Sequence, residues 1–352
     1  MILVLAVYAL IFAGVRFGKI PRLAGWCLGW SFLAWIVLTH LLFGDEHPVS
    51  QMLGGSLAEW LTLLIFAALV TAYLPLLKML KARAKPAETP LQTGTFSDSE
   101  LDRYARHIIM REIGGPGQKA LKDAKVLVIG AGGLGAPALL YLAAAGIGTI
   151  GVIDDDEVDN SNLQRQVIHT DERIGMPKVF SAQTAMLAQN PHVVVRPYER
   201  RLTPENAQDL FADYDLILEG SDNFETRYLA NRVAAQLGKP LIGGALTQWE
   251  GQISLYDPAR GHACYQCVFP EAPAAGLAPS CAEAGVVGPL PGVIGSMMAV
   301  EAIKVITGAG ESLAGRLMIY DALYGETRFI KVKKREDCPV CGTGNTASAR
   351  LA

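Results

Sequence analysis

Residues Lys125–Gln166 read KVLVIGAGGLGAPALLYLAAAGIGTIGVIDDDEVDNSNLQRQ. The run opens with Val126–Ile129, apolar and largely β-branched, as a buried parallel strand requires. Gly130, Gly132 and Gly135 follow as G-x-G-x-x-G, and the Ala- and Leu-rich stretch up to Gly146 predicts a helix. A second apolar run, Thr149–Ile153, ends in Asp154, Asp155 and Asp156. Strand, glycine turn, helix, strand, acid is the order of a nucleotide-binding βαβ unit. The glycines let backbone approach phosphates, and the helix N-terminus aims N–H groups and partial positive charge at them. Asp154 then stands where a ribose hydroxyl would find an acceptor. By itself this pattern permits NAD or FAD as readily as ATP.

The residues after the acid change the reading. Asn160–Gln166 is a dense polar cluster at the phosphate-facing edge of the second strand. A dinucleotide site has no need of an arginine and amides there, whereas a site that neutralises a triphosphate under attack does. With GAGGLG and the pattern D-x-D-x-V-x-x-S-N-L-Q-R-Q over Asp154–Gln166, the chain resembles the ubiquitin-activating-like superfamily that includes ThiF proteins and molybdopterin-synthase adenylyltransferase. The resemblance runs from about Leu101 to Gly342. It implies an α/β fold, a Rossmann-like nucleotide-binding domain of the ubiquitin-activating type with a mixed sheet. It also implies ATP and Mg²⁺ as ligands, and an ATP site of Gly130, Gly132, Gly133, Gly135, Asp154, Asp156, Asn162, Gln164, Arg165, Lys178, Asp222 and Asn223.

Several of these rest on short motifs. Lys178 follows Pro177 in G-x-x-K near the start of a predicted helix, where the helix dipole disfavours a cation. An anionic partner removes that penalty, and the resemblance makes it the triphosphate; an ordinary surface lysine is the alternative. Asp213–Glu219 reads as a buried strand followed by Gly220-Ser221-Asp222-Asn223, with acid at the carboxyl end of a strand where α/β sheets hold ligands. The resemblance places Asp222 near nucleotide and Mg²⁺, and capping of the next helix by Asp222 is compatible with that role. Arg103-Tyr104-Ala105-Arg106-His107 resembles R-Y-x-R-Q, which makes Arg106 a phosphate contact reaching across a dimer interface. Later strands are predicted at Leu241–Ala245, Gly251–Tyr256 and within Arg316–Val332. Gly251-Gln252 falls in the region that the family uses to receive its partner's C-terminal tail.

Cys264-x-x-Cys267 and Cys338-x-x-Cys341 present four thiolates to one tetrahedral ion and predict a closed, structural four-cysteine zinc site. A redox role is the alternative. Cys281 stands alone in a Pro- and Ala-rich loop, at a position where some relatives bond covalently to carrier or sulfur and others do not. Six cysteines so spaced point to a reducing compartment, not a secreted disulfide framework.

The chain has 352 residues and net charge −3, so nothing global points to nucleic acid. Mean hydropathy of +0.26 is high, and the apolar excess lies in the first eighty residues. Leu23–Phe43 carries no charge and Leu57–Leu77 carries only Glu59. Each matches the ~20 residues that cross a bilayer as helix. Residues 1–15 form a third apolar run, read as a further span in preference to a signal peptide. Trp26, Trp30, Trp35, Trp60 and Tyr73 are candidate interfacial anchors. Arg16, Lys19 and Arg22, against Asp45, Glu46 and His47, place everything after Lys78 in the cytoplasm by the positive-inside rule.

The expected organisation is therefore a membrane anchor of transmembrane helices over residues 1–80 and a linker over 81–96. An adenylyltransferase domain over 97–342 opens with a Ser97–Glu100 capping box and a Phe96–Leu101 staple. A flexible tail over 343–352 closes the chain. The expected activity is ATP-dependent adenylylation of the C-terminal carboxylate of a small ubiquitin-like, Gly-Gly-ended sulfur carrier, by a homodimer in contact with membrane lipid. Arg165, Lys178, Asp222 and Arg106 are the catalytic set, with Cys281 a possible covalent site. An NAD(P)- or FAD-dependent membrane oxidoreductase and an inactive scaffold of the same fold are the alternatives.

Overall fold

β1 (Lys125–Ile129) is buried along all but its first residue and shows why the fold is layered. Its side chains alternate at period two. Val126 and Val128 enter one apolar cluster, while Leu127 and Ile129 enter a second on the opposite face. The first cluster also takes in α7 (Gly135–Ala145), α8 (Lys178–Gln189) and α12 (Pro289–Thr307). The second takes in α9 (Pro204–Ala212) and α10 (Phe224–Gln236). A sheet buried on both faces by helices is the arrangement that near-continuous apolar strands demand.

The structure is a computed structural model and describes residues 2–17, 21–83, 95–273 and 284–342. It divides into two compact units, Met1–Gln92 and Thr93–Ala352. In the second, β1, β2 (Thr149–Asp154), β3 (Val194–Glu199), β4 (Leu216–Glu219), β5 (Leu241–Leu246), β6 (Glu250–Tyr256), β7 (Arg316–Asp321) and β8 (Glu326–Lys331) form one sheet in the order 3-2-1-4-5-6-7-8. β3 to β5 are parallel across β2, β1 and β4, and β6 to β8 are antiparallel additions. The sheet is mixed, as the resemblance implied. The chain leaves β1 towards β2 and returns to β4 on β1's other side, so a crevice opens between the carboxyl ends of β1 and β4.

Two local expectations are corrected. α5 (Asp98–Ile108) begins with the Ser97–Glu100 capping box, but Phe96 packs edge-on against Tyr104, at 6.2 Å, and not on Leu101, which is exposed. The strand expected from Asp213 begins only at Leu216, because Asp213 still caps α9 and Tyr214 turns into the core beneath β2.

The first unit contains α1 (Ile2–Arg16), α2 (Arg22–Phe43), a short α3 (Pro48–Leu53) that the sequence reading missed, and α4 (Leu57–Arg83). Gly25 of α2 has no room for a side chain, since a Cβ there would lie 2.3 Å from Val15. Asp45 accepts from the His40 ring at 2.9 Å and from the Leu57 N–H at 3.0 Å, tying the end of α2 to the start of α4. Glu59, the one charge of the Leu57–Leu77 run, accepts from Ser56 N–H at 3.0 Å and so belongs to the helix end, where the dipole favours it. Trp60 is not an outward anchor: it is buried and donates to Gly54 carbonyl at 2.7 Å. Trp26, Trp35 and Tyr73 are exposed, as are Leu10, Phe12, Leu42, Phe66 and Leu69. Among the described residues three helices, Ala24–Phe43, Leu57–Leu77 and Pro289–Thr307, are long and apolar enough to cross a membrane. α1, at 15 residues, rises only ~22 Å against a hydrocarbon core of ~30 Å. α12 passes the same test of length and composition, yet Leu290, Ile294, Met298 and Ala302 bury it against the sheet.

The turn after β1 tolerates nothing but glycine at Gly135, where a Cβ would come within 1.9 Å of Gly130 carbonyl oxygen. Gly135→Ala is expected to cost about 1–3 kcal/mol through this overpacking, measured as a lower urea midpoint by circular dichroism of the purified chain.

Candidate active site

A cleft of about 920 Å³ opens at the crevice between β1 and β4. Its floor is made by two glycine turns in contact. Gly130 has φ +92°, and a Cβ there would lie 3.3 Å from the carbonyl oxygen of Gly220 at the end of β4. Gly132 and Gly133 follow, and the N-terminal turn of α12 closes over them with Pro291 at 3.0 Å from where a Gly133 Cβ would be. Backbone can approach a ligand here because no side chain intervenes.

Asp154, at the end of β2, faces this turn. Its Oδ2 accepts from Ala131 N–H at 2.7 Å and its Oδ1 from Asp156 N–H at 2.9 Å. Burial pushes its carboxyl upward, opposed by the Lys178 ammonium and by those two donors. Both oxygens accept, so the arrangement holds the carboxylate form. Lys178 is buried at the first position of α8, and its ammonium donates to Asp156 Oδ2 at 2.6 Å. The anionic partner that the helix dipole calls for is therefore supplied within the chain. Arg165 also lines the cleft and donates to Ser161 carbonyl at 3.0 Å.

The polar cluster divides in two. Asp159 accepts from Ser161 N–H at 2.8 Å, and Asn162 Oδ1 accepts from Asp159 N–H at 3.3 Å, shaping a short turn at Asn160–Asn162. Gln164 donates to Val286 carbonyl at 3.3 Å. Neither Asn162 nor Gln164 lines the cleft, whereas Gln166 does. Gln166 is 4% exposed and its Oε1 has no hydrogen-bond partner among the described residues. A buried acceptor left open beside Gly132 asks for a ligand donor.

At the end of β4 the expected cap proves to be Asn223, which accepts from Thr226 N–H at 2.8 Å. This is a correction, since Asp222 was the residue placed there. Asp222 is exposed on the cleft wall and makes no hydrogen bond or ion pair among the described residues. Glu219 beneath it is buried, accepts from Ser221 N–H at 2.7 Å, and pairs with Arg227 at 3.6 Å; burial raises its carboxyl above the usual range. Arg200 and Arg201 line the cleft from the end of β3. Sequence reasoning missed Gln166, Glu219, Arg227 and this pair. The pair carried a signal, two cations at the carboxyl end of a parallel strand. Arg106 is exposed on α5 and does not line the cleft. Cys281 and residues 274–283 around it lie outside the described residues, as does the tail 343–352.

The four knuckle cysteines converge. Cys264–Cys267, Cys264–Cys338 and Cys267–Cys341 sulfurs are 3.9, 3.6 and 3.4 Å apart, close to the ~3.8 Å edge of a sulfur tetrahedron with Zn–S bonds of ~2.3 Å. Asn231 Nδ2 donates to Cys264 sulfur at 3.7 Å and Arg335 N–H to Cys267 sulfur at 3.4 Å, donors that suit thiolates. The donor set fits a tetrahedral metal with no open position.

His169 supports the glycine turn from below. Its Nε2 lies 2.9 Å from Ala131 carbonyl, which can only accept, so Nε2 carries the proton and Nδ1 accepts from Ser181 hydroxyl at 2.9 Å. Burial, with Lys178 and Arg173 nearby, holds this imidazole below its usual pKa. Protons then bind the unfolded chain more readily than the folded one below pH ~6.5, so stability falls as pH drops through that value. His169→Gln is expected to flatten this slope in urea melts between about pH 7.5 and 5.5.

The chain matches the ThiF family over residues 104–340. It is 50% identical over 251 residues to the sulfur carrier protein adenylyltransferase of Thermus thermophilus, covering 70% of this chain and 93% of that protein. It is 53% identical over 247 residues to the probable adenylyltransferase/sulfurtransferase MoeZ of Mycobacterium tuberculosis, where the match takes in 69% of this chain but 63% of the relative. The SAMP-activating enzyme E1 of Haloferax volcanii is 48% identical, with 73% and 94% covered. Among solved structures, PaaA aligns with TM-score 0.60 at 25% identity over 77% of this chain and 87% of its own. MccB of E. coli aligns with TM-score 0.60 at 22% identity over 69% and 73%, a likeness of fold. Neither an oxidoreductase nor an inactive scaffold finds support among these relatives. With half of its aligned residues shared with a relative covered almost end to end, this chain belongs to the ThiF family.

Proposed function

We propose that this chain is an adenylyltransferase that uses ATP to activate the C-terminal carboxylate of a small ubiquitin-like sulfur carrier. The observation that carries the reading is the meeting of Lys178, Arg165 and the unpaired Asp222 around a glycine turn at the switch point of the sheet. The identity to a sulfur carrier protein adenylyltransferase supports the choice of substrate.

The reaction joins a carrier carboxylate oxygen to the α-phosphorus of ATP and breaks the bond to the β-phosphate, releasing pyrophosphate. The carboxylate is already ionised at neutral pH, so no general base is required. The obstacle is an anion approaching a polyanion, and catalysis is positioning and charge neutralisation. The glycine turn and Asp154 hold the nucleotide. Lys178 and Arg165 face its phosphates, with Lys178 exchanging Asp156 for phosphate oxygens on binding. Asp222 is the exposed carboxylate suited to a hard divalent cation such as Mg²⁺, which would add positive charge at the phosphates. The carrier's Gly-Gly tail takes the arm of the cleft lined by Leu246, Thr247, Gln248 and Gln252, where β5 and β6 meet. Arg106, exposed on α5, is available to a second copy's cleft in a homodimer.

The four-cysteine centre takes Zn²⁺ in a structural role. The first unit anchors the chain in a membrane through Ala24–Phe43 and Leu57–Leu77, with the catalytic unit on the cytoplasmic side. Its outward Leu and Phe side chains and its inward Thr39, His40 and Ser50 suit lipid as the outer medium.

Arg165→Ala and Lys178→Ala are each expected to abolish carrier-dependent ATP–pyrophosphate exchange, by at least ~100-fold, with unchanged circular dichroism; normal exchange in both variants would refute the assignment. After cell disruption and an alkaline carbonate wash, the full chain is expected in the membrane pellet. Recovery in the supernatant would remove the anchor.

A further inference from the structure

α10 connects the two centres of the second unit through consecutive turns of one helix. Asn231 binds the first cysteine knuckle twice, through Nδ2 to Cys264 sulfur at 3.7 Å and through Oδ1, which accepts Tyr265 N–H at 2.8 Å. One turn earlier, Arg227 donates to Ser221 carbonyl at 2.8 Å and pairs with Glu219 at 3.6 Å. Glu219 in turn accepts from both the N–H and the hydroxyl of Ser221. The residue that precedes Asp222 is thus gripped on its carbonyl by Arg227 and on its N–H by Glu219.

Tyr265 closes the circuit. It follows Cys264 directly, its N–H is held by Asn231, and it lines the cleft as Arg227 does. Its ring packs against Tyr228 at 5.3 Å, Tyr256 at 5.6 Å and Phe269 at 4.9 Å. A buried ring fixed on three sides and a buried ion pair have few alternative arrangements. The same Tyr265 and Phe269 line the cleft.

We propose that the four-cysteine centre and the nucleotide cleft are one coupled unit, in which Arg227 is the positioning residue for the Ser221–Asp222 turn and Asn231 and Tyr265 transmit the state of the cysteines to it. This goes beyond a clasp that merely ties Cys338 and Cys341 to the domain, and it rests on the nucleotide reading of the cleft. Metal in the centre strengthens Mg·ATP binding, and by linkage Mg·ATP must retain the metal to the same degree.

Two measurements on the purified full chain test this. In the wild type, loss of Zn²⁺ to a chromogenic chelator is followed with and without saturating Mg·ATP, and no mutation is needed. Mg·ATP affinity is then measured by calorimetry for wild type and Asn231→Ala, which removes both bonds from α10 to the first knuckle and keeps all four thiols. Expected are Zn²⁺ loss slowed several-fold by Mg·ATP, and in Asn231→Ala full Zn²⁺ content, roughly tenfold weaker Mg·ATP binding and no such protection. Equal Mg·ATP affinity in the variant, with Zn²⁺ loss indifferent to Mg·ATP in the wild type, overturns the coupling and leaves the nucleotide reading standing. A zinc-loaded wild type that binds no Mg·ATP overturns both.

Discussion

The second unit depends on the approach of two backbones at one point, where the turn after β1 meets the turn after β4. Gly130 and Gly220 touch, and Gly135 lies against the Gly130 carbonyl. Only glycine permits this contact, and it sets everything built on it. α12 crosses close enough for Gly295 to meet the Leu134 carbonyl, and the carboxyl ends of five parallel strands open into one space. His169 and Asp154 each hold Ala131, one by its carbonyl and one by its N–H. The turn is therefore fixed before any ligand arrives, and a site fixed in advance spends little of its binding energy on reorganisation.

Charge at the cleft follows the same logic. Three of the cations that line the cleft are tied to acceptors within the chain. Lys178 is buried and paired with Asp156, Arg165 is tied to Ser161, and Arg227 is paired with Glu219. Leaving such groups buried and unpaired would be costly, so each is held by a carboxylate or carbonyl that an anionic ligand can relieve or reinforce. Asp222 is the exception, a carboxylate on the wall of the cleft without a protein partner among the described residues.

The first unit shows the opposite distribution of polarity. Its core is small, formed around Val4, Leu33, Ile36, Leu53 and Trp60, and large apolar side chains cover its outside. α12 has similar length and composition but the other fate, since α7 and the sheet cover it. Apolar content alone does not separate a core helix from a span, and what surrounds the helix does.

The sequence by itself determined the βαβ unit, the mixed α/β class, the pairing of the two cysteine knuckles and the gathering of Lys178, Arg165 and Asp222 at one cleft. These are carried by local patterns: strand and helix periodicity, glycines at fixed spacing, two C-x-x-C motifs. Tertiary structure alone decided which side chains of a single motif line the cleft. Asn162 shapes its own turn with Asp159, Gln164 reaches across to Val286, and Gln166 turns into the cleft, directions that spacing does not encode. Tertiary structure likewise made Asn223 the helix cap, put Trp60 inside, and joined Glu219, Arg227, Asn231 and Tyr265 across the sheet and two helices. Such contacts depend on which surfaces are pressed together when the layers close, and that is information held by no short stretch of chain.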